Sequence, residues 1–154
     1  MKTSIIWIIV ILSFVILPFC QPSNAADLTL NNTPTQVYSF TSPLIAKALL
    51  NAHRRGVKVD VVLDQSLRTD KYTSATFLAN SGIPTYLDDK HAIADNRVMI
   101  IDQETVITGS FNFTKAAENK NAENLLIIKD KKPAKEYLEN WYKHRGHSEV
   151  YKRK

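Results

Sequence analysis

The sequence predicts an α/β fold, a mixed, mainly parallel sheet covered by helices on both faces. Three observations carry this. Segments of strand character alternate along the chain with segments whose apolar residues recur at helical spacing. Two strand segments, 97–102 (RVMIID) and 125–128 (LLII), are apolar on both faces, as strands are when helices cover both sides of their sheet. The chain has 154 residues and is 44% hydrophobic, enough for one domain with a real core but not for two. A single Cys excludes an internal disulfide framework, so the fold must hold by its core.

The elements follow in order. Residues 1–25 carry one charge, Lys2, then an apolar run from Ile5 to Leu17 that Pro18 breaks, with Ser23 and Ala25 placed for cleavage. The run is shorter than the roughly 20 residues of a membrane span, so 1–25 reads as a signal peptide and 26–154 as the domain. Export to the periplasm or exterior is the corresponding expectation. Cleavage would remove Cys20, and the bulky Phe19 before it argues against lipid attachment there.

Residues 26–35 are polar and read as a flexible entry, followed by a short strand over 36–40. Ser42 caps a helix with Pro43 at its first position, Leu44, Ile45, Ala48, Leu49 and Ala52 repeat along one face, and Gly56 stops it. A strand is predicted over 57–64, a helix over 70–80 ending at Gly82, and a strand over 83–87. Strands over 97–102 and 105–108 flank a tight turn at Gln103-Glu104, and 125–128 is a further strand. A last helix covers 130–145, with Pro133 in its first turn and Ala134, Tyr137, Leu138, Trp141 and Tyr142 on one face. Gly146 ends it, and Trp141 and Tyr142 are assigned to the core.

The net charge is +5, which suits a polyanionic partner. His53-Arg54-Arg55 and Lys129, Lys131, Lys132 and Lys135 either touch a nucleic acid backbone or are solvated helix ends. There is no internal repeat, no Gly-rich phosphate loop and no His/Cys cluster of metal-ligand spacing, so neither cofactor nor metal is expected.

The chemistry is concentrated in 95–124, DNRVMIIDQETVITGSFNFTKAAENKNAEN. Its spacing is Asp95-x-Arg97-x4-Asp102-x6-Gly109-Ser110-x-Asn112, which resembles the His-x-Lys-x4-Asp-x6-Gly-Ser-x-Asn motif of the phospholipase D superfamily. The likeness extends to SFTSPLIAKALLNAHRRGVKVDVVLD, FLANSGIPTYLDDKHAIA and NAENLLII, and resembles the small bacterial one-motif endonucleases and phospholipase D-like proteins of that superfamily.

The resemblance implies a metal-independent phosphodiesterase. In the family a His attacks phosphorus, a second His protonates the leaving oxygen, and the Lys, Ser and Asn hold the phosphate oxygens. With one motif per chain, two histidines require a homodimer across a two-fold axis. The substrates implied are DNA or RNA, with phospholipid the other possibility. By position, Ser110 and Asn112 would bind phosphate and Glu123 would orient the nucleophile. Asp102 and Gly109 would be structural members of the motif. Asn112-Phe113-Thr114 matches a glycosylation sequon only by chance.

This chain departs from the pattern at the nucleophile, which is Asp95, and at the phosphate-binding Lys, which is Arg97. Arginine keeps the positive charge with a different shape and reach. A carboxylate cannot act as the imidazole does, and it repels phosphate by about 4 kcal/mol at 4 Å and an effective dielectric near 20. Facing Glu123, it would also make an acid pair in which one member titrates near neutrality. His91 is four residues from Asp95, about 13 Å along an extended strand, so rescue by His91 would need a bulge. Family members also carry a first strand and helix ahead of the 36–40 strand, and the resemblance implies that these are lacking. The expectation is therefore an impaired exported phosphodiesterase. The alternative is a catalytically dead member that binds nucleic acid or heterodimerises with an active relative, and a third is a degenerate product.

Overall fold

The computed structural model describes residues 32–70 and 73–152. The signal-peptide assignment, the first part of the polar entry and the question of a missing first strand and helix all fall outside the described residues. Seven strands form one sheet in the order β6-β5-β4-β1-β2-β3-β7. They are β1 (Asn32–Val37), β2 (Lys58–Asp64), β3 (Thr85–Asp88), β4 (Arg97–Ile101), β5 (Thr105–Gly109), β6 (Leu125–Lys129) and β7 (Glu149–Val150). The α-helices are α1 (Pro43–Arg54), α2 (Ala75–Asn80), α3 (Lys115–Asn119) and α4 (Lys131–His147), with a 3-10 turn over Gln65–Arg68.

The α/β class and the mixed sheet match the sequence expectation. The parallel part is smaller than expected, because only β1–β2 and β2–β3 pair in parallel and the other four pairings are antiparallel. The crossover helices α1 and α2 connect the parallel strands, whereas β4 and β5 are joined by a tight turn, β6 follows β5 after the segment that carries α3, and all three pair antiparallel.

Side-chain alternation on the inner strands sorts two apolar clusters onto the two faces. Val59, Val61, Leu63, Met99, Ile101 and Ile107 join α1, α2 and α3 on one face, while Val62, Val98, Ile100 and Val106 meet Ala134 and Trp141 of α4 on the other. RVMIID is thus buried on both faces, as its composition requires.

Several boundaries move. The polar entry expected over 26–35 contributes Asn32–Thr35 to β1, the middle strand of the sheet. Thr33, Thr35 and Gln36 are buried there despite their polarity, and the Thr35 carbonyl accepts the Trp141 indole N–H at 3.1 Å. Pro34 lacks a donor but falls outside Thr35–Val37, the stretch that pairs with β4. The helix expected over 70–80 is confined to Ala75–Asn80.

The last helix runs through Gly146 to His147, and Tyr142 on it is exposed while Trp141 is buried. The tight connection sits at Asp102-Gln103, both at positive φ (52° and 60°), closed by Glu104 N–H to the Ile101 carbonyl at 3.0 Å. The start of α1 is as read. Ser42 Oγ accepts Ile45 N–H at 3.2 Å, Pro43 opens the helix, and Gly56 leaves it at φ +92°.

Candidate active site

The motif residues come from the start of β4, the end of β5 and the approach to β6. Adjacent strands in antiparallel register carry them: Val98 pairs with Thr108, and Gly109 with Leu125. Side chains two apart on a strand share a face, so Asp95 and Arg97 are set to meet. They do so as an ion pair, Arg97 Nη2 to Asp95 Oδ1 at 2.7 Å, with Asp95 half exposed and Arg97 mostly covered. The residue expected at the nucleophile position therefore pairs with the one expected to bind phosphate.

Ser110 and Glu123 form the other half. The Ser110 hydroxyl donates to Glu123 Oε2 at 2.6 Å and its oxygen accepts Asn124 N–H at 3.0 Å. Asn121 Nδ2 donates to Glu123 Oε1 at 2.9 Å. These two hydrogen bonds, Ser110 first, hold the Glu123 carboxyl below the usual carboxylate range, and the nearby Arg97 charge adds to them. Glu123 therefore stays ionised, with Ser110 and Asn121 as its hydrogen-bond partners, while Asp95 pairs with Arg97.

Gly109 is required by close approach. A Cβ there would overlap the Asn124 carbonyl of the neighbouring strand, and φ is +150°. Asn112 Oδ1 and Arg97 Nε are both buried without a hydrogen-bond partner among the described residues, so polar capacity is left over on two motif residues. Thr114, the last residue of the sequon, uses its hydroxyl to cap α3 through Ala117 N–H at 3.1 Å. Asp102 is in the β4–β5 turn, where Oδ1 accepts Asn32 N–H at 2.9 Å and its own N–H returns to the Asn32 carbonyl.

Two buried carboxylates brace the site, and the sequence reading missed both. Asp64 ends β2 and accepts Ser66 N–H at 2.8 Å and Ala94 N–H at 2.7 Å, which fixes the residue before Asp95. Glu118 on α3 accepts the Ser42 hydroxyl, and Phe113 O accepts Thr41 and Ser42 N–H, so the loop carrying Ser110 and Asn112 is pinned to the start of α1. A buried acid flanked by apolar residues, as in VVLD and TKAAE, was the available signal.

His91 does not fill the nucleophile position. Its Nδ1 faces the buried Asp88 at 3.0 and 3.1 Å. His144 and His147 of α4 face the same carboxylate, and the four side chains gather their ligand atoms within 4.8 Å of one another. The sequence expectation of no metal-spaced cluster is corrected here. Asp88-x2-His91 and His144-x2-His147 are the two halves of one, and their spacing was the readable signal. Of the basic residues, Lys131 pairs with Glu104 at 2.7 Å, while Lys129, Lys132 and Lys135 are exposed. No helix among the described residues is long and apolar enough to cross a membrane.

Comparison with known proteins gives this arrangement a context. The family model described as cardiolipin synthase, PLD-like domain, matches residues 31–145. A phospholipase D from Rickettsia typhi is 43% identical over 116 residues, 75% of this chain and 57% of the relative. A mitochondrial cardiolipin hydrolase from Xenopus laevis is 34% identical over 101 residues, 66% of this chain and 48% of the relative. The chain thus spans about half the length of these curated relatives. The crystal structure of Nuc, a phospholipase D family member from Salmonella typhimurium, superposes with a TM-score of 0.77 at 42% identity, covering 82% of this chain and 85% of that one. With the motif spacing, the paired strands that carry it and the family match over most of its length, the chain belongs to the phospholipase D superfamily.

Proposed function

We propose that this chain is an exported phosphodiesterase of the endonuclease or phospholipase D type whose own hydrolysis is impaired. The Asp95–Arg97 ion pair carries the reading. It replaces an attacking imidazole with a carboxylate and spends the phosphate-binding cation internally. Loss of a covalent nucleophile costs several orders of magnitude in rate. The relatives support phosphodiester chemistry by their names, a phospholipase D and a cardiolipin hydrolase. The basic charge favours nucleic acid over lipid as the substrate.

A second reading, a dead member that binds nucleic acid or pairs with an active relative, is favoured by the Ser110–Glu123–Asn121 network, which remains hydrogen-bonded without a nucleophile beside it. One series separates the two. The chain, Asp95→His, Arg97→Lys and the double variant are assayed on plasmid DNA and on phosphatidylcholine vesicles with chelator present. The expected result is turnover at least about 1,000-fold faster in the double variant. Equal turnover in the unaltered chain would refute impairment. Gel-shift binding without turnover in any variant would select the second reading.

A further inference from the structure

Three of the four histidines of the chain converge on one carboxylate. Asp88 ends β3 with no solvent exposure of its side chain. It accepts Lys90 N–H at 3.1 Å, and His144 Nδ1 lies 2.8 Å away. His91 Nδ1 stands near both oxygens. His147 Nε2 is 3.2 Å from Oδ1 but off the axis of a hydrogen bond, and it is buried with no hydrogen-bond partner among the described residues. The three rings crowd around the point, tilted or edge-on to one another, with centroids 4.9, 5.2 and 5.6 Å apart.

Neutralising one aspartate takes one donor. Gathering three imidazoles from two separate segments, with one nitrogen left unsatisfied, exceeds that need. Three imidazole nitrogens and one carboxylate oxygen form a borderline, nitrogen-rich donor set, which selects first-row transition dications over magnesium or calcium. A tetrahedral ion with Zn–N near 2.0–2.1 Å wants its donors about 3.4 Å apart. Donor atoms already within 4.8 Å of one another reach that by small side-chain rotations. His144 and His147 are three apart on one face of α4, and His91 follows Asp88 by the same interval.

We propose that Asp88, His91, His144 and His147 bind one zinc ion. Four protein ligands close the coordination sphere, which marks a structural rather than a catalytic ion. The ion would clamp β3, the loop over 89–96 and the last turn of α4. That loop also carries Asp95, and Asp64 holds it at Ala94. The proposal stands on this geometry alone and does not depend on the phosphodiester reading.

The test is direct. Chelator-stripped protein is titrated with Zn2+ by calorimetry and, separately, with Co2+ while visible absorption is read. One ion per chain and the intense ligand-field bands of four-coordinate Co2+ are expected, with a rise in Tm. His144→Ala/His147→Ala should weaken binding at least about 100-fold, and the more exposed His91→Gln at least about tenfold. His53→Ala should leave stoichiometry and affinity unchanged. Circular dichroism of each stripped variant shows that it is folded. Failure of the stripped chain to take up Zn2+, or equal uptake by a folded His144→Ala/His147→Ala variant, would overturn the site.

Discussion

Asp95 and Arg97 show how two neighbouring charges act on each other. On the proposed reading the carboxylate is a poor nucleophile, and it neutralises the guanidinium 2.7 Å away. Asp95 is half exposed, so water and salt screen the pair, and its worth is that of a surface ion pair, about 0.2–1 kcal/mol. Asp95→Asn should free the guanidinium and tighten binding of inorganic phosphate by about two- to fivefold, measured by calorimetry at low salt. Unchanged affinity would mean that Arg97 does not face the anion. The shared face of Asp95 and Arg97 was legible from strand parity, while Ser110 and Asn112 were named by the resemblance of the motif spacing. The turn of Asp95 to Arg97 and of Glu123 to Ser110 was not legible, since spacing places side chains on a face but does not choose their partners. The Asp88 cluster escaped for a related reason: its halves lie 56 residues apart in sequence, and only the packing of α4 on the sheet joins them.

At the scale of the element, local preference and tertiary contact part company in two places. Gly146 reads as a helix stop, yet α4 continues to His147. Ser148 N–H bonds the Arg145 carbonyl, its hydroxyl bonds the His144 carbonyl at 2.7 Å, and the two histidines face Asp88. Those contacts outweigh the propensity of one glycine, about 1 kcal/mol against alanine. A Cβ at Gly146 would meet nothing within 4 Å, so Gly146→Ala should stabilise the protein by about 0.5–1 kcal/mol in urea denaturation. The Asp102-Gln103 turn is the second place. Both residues hold positive φ, which Asp tolerates and Gln does not favour. Gln103→Gly should therefore also stabilise, by up to about 1 kcal/mol, and a loss of stability would show that the Gln103 side chain contributes something that the backbone cost conceals. β1 was misread in its first half because threonine and asparagine look like a loop by polarity. The burial of Thr33 and Thr35 comes from the central place of β1 in the sheet, a fact of topology that composition does not carry.

For the whole molecule, the sheet order leaves β6 and β7 as its edges, with Leu126 exposed on β6 and Val150 on β7. β6 is the strand that follows Glu123 and pairs with Gly109, so the candidate-site end of β5 lies one strand from the edge of the sheet that the described residues form. One motif per chain implies a second copy for a two-site reaction, and we expect a homodimer. Sedimentation velocity at micromolar concentration should give the mass of two chains. A monomer there would confine any activity to what one motif can do. The fold class followed from the alternation of strand and helix patterns and the burial of RVMIID on both faces from its apolar composition, whereas the share of antiparallel pairing followed from neither. Helical crossovers announce parallel strands, but short links such as Asp102–Glu104 fit either a hairpin or a break until partners are known.

On the proposed reading, the latch between Asp95 and Arg97 makes the order of any return to the family pattern matter. A chain regaining lysine alone would still carry the carboxylate that captures a neighbouring cation, so that step brings no gain for selection to hold. A chain that took histidine alone would, on that reading, both acquire a nucleophile and release the guanidinium. The two reversions should therefore be epistatic, with one path back to hydrolysis open and the other closed at its first move.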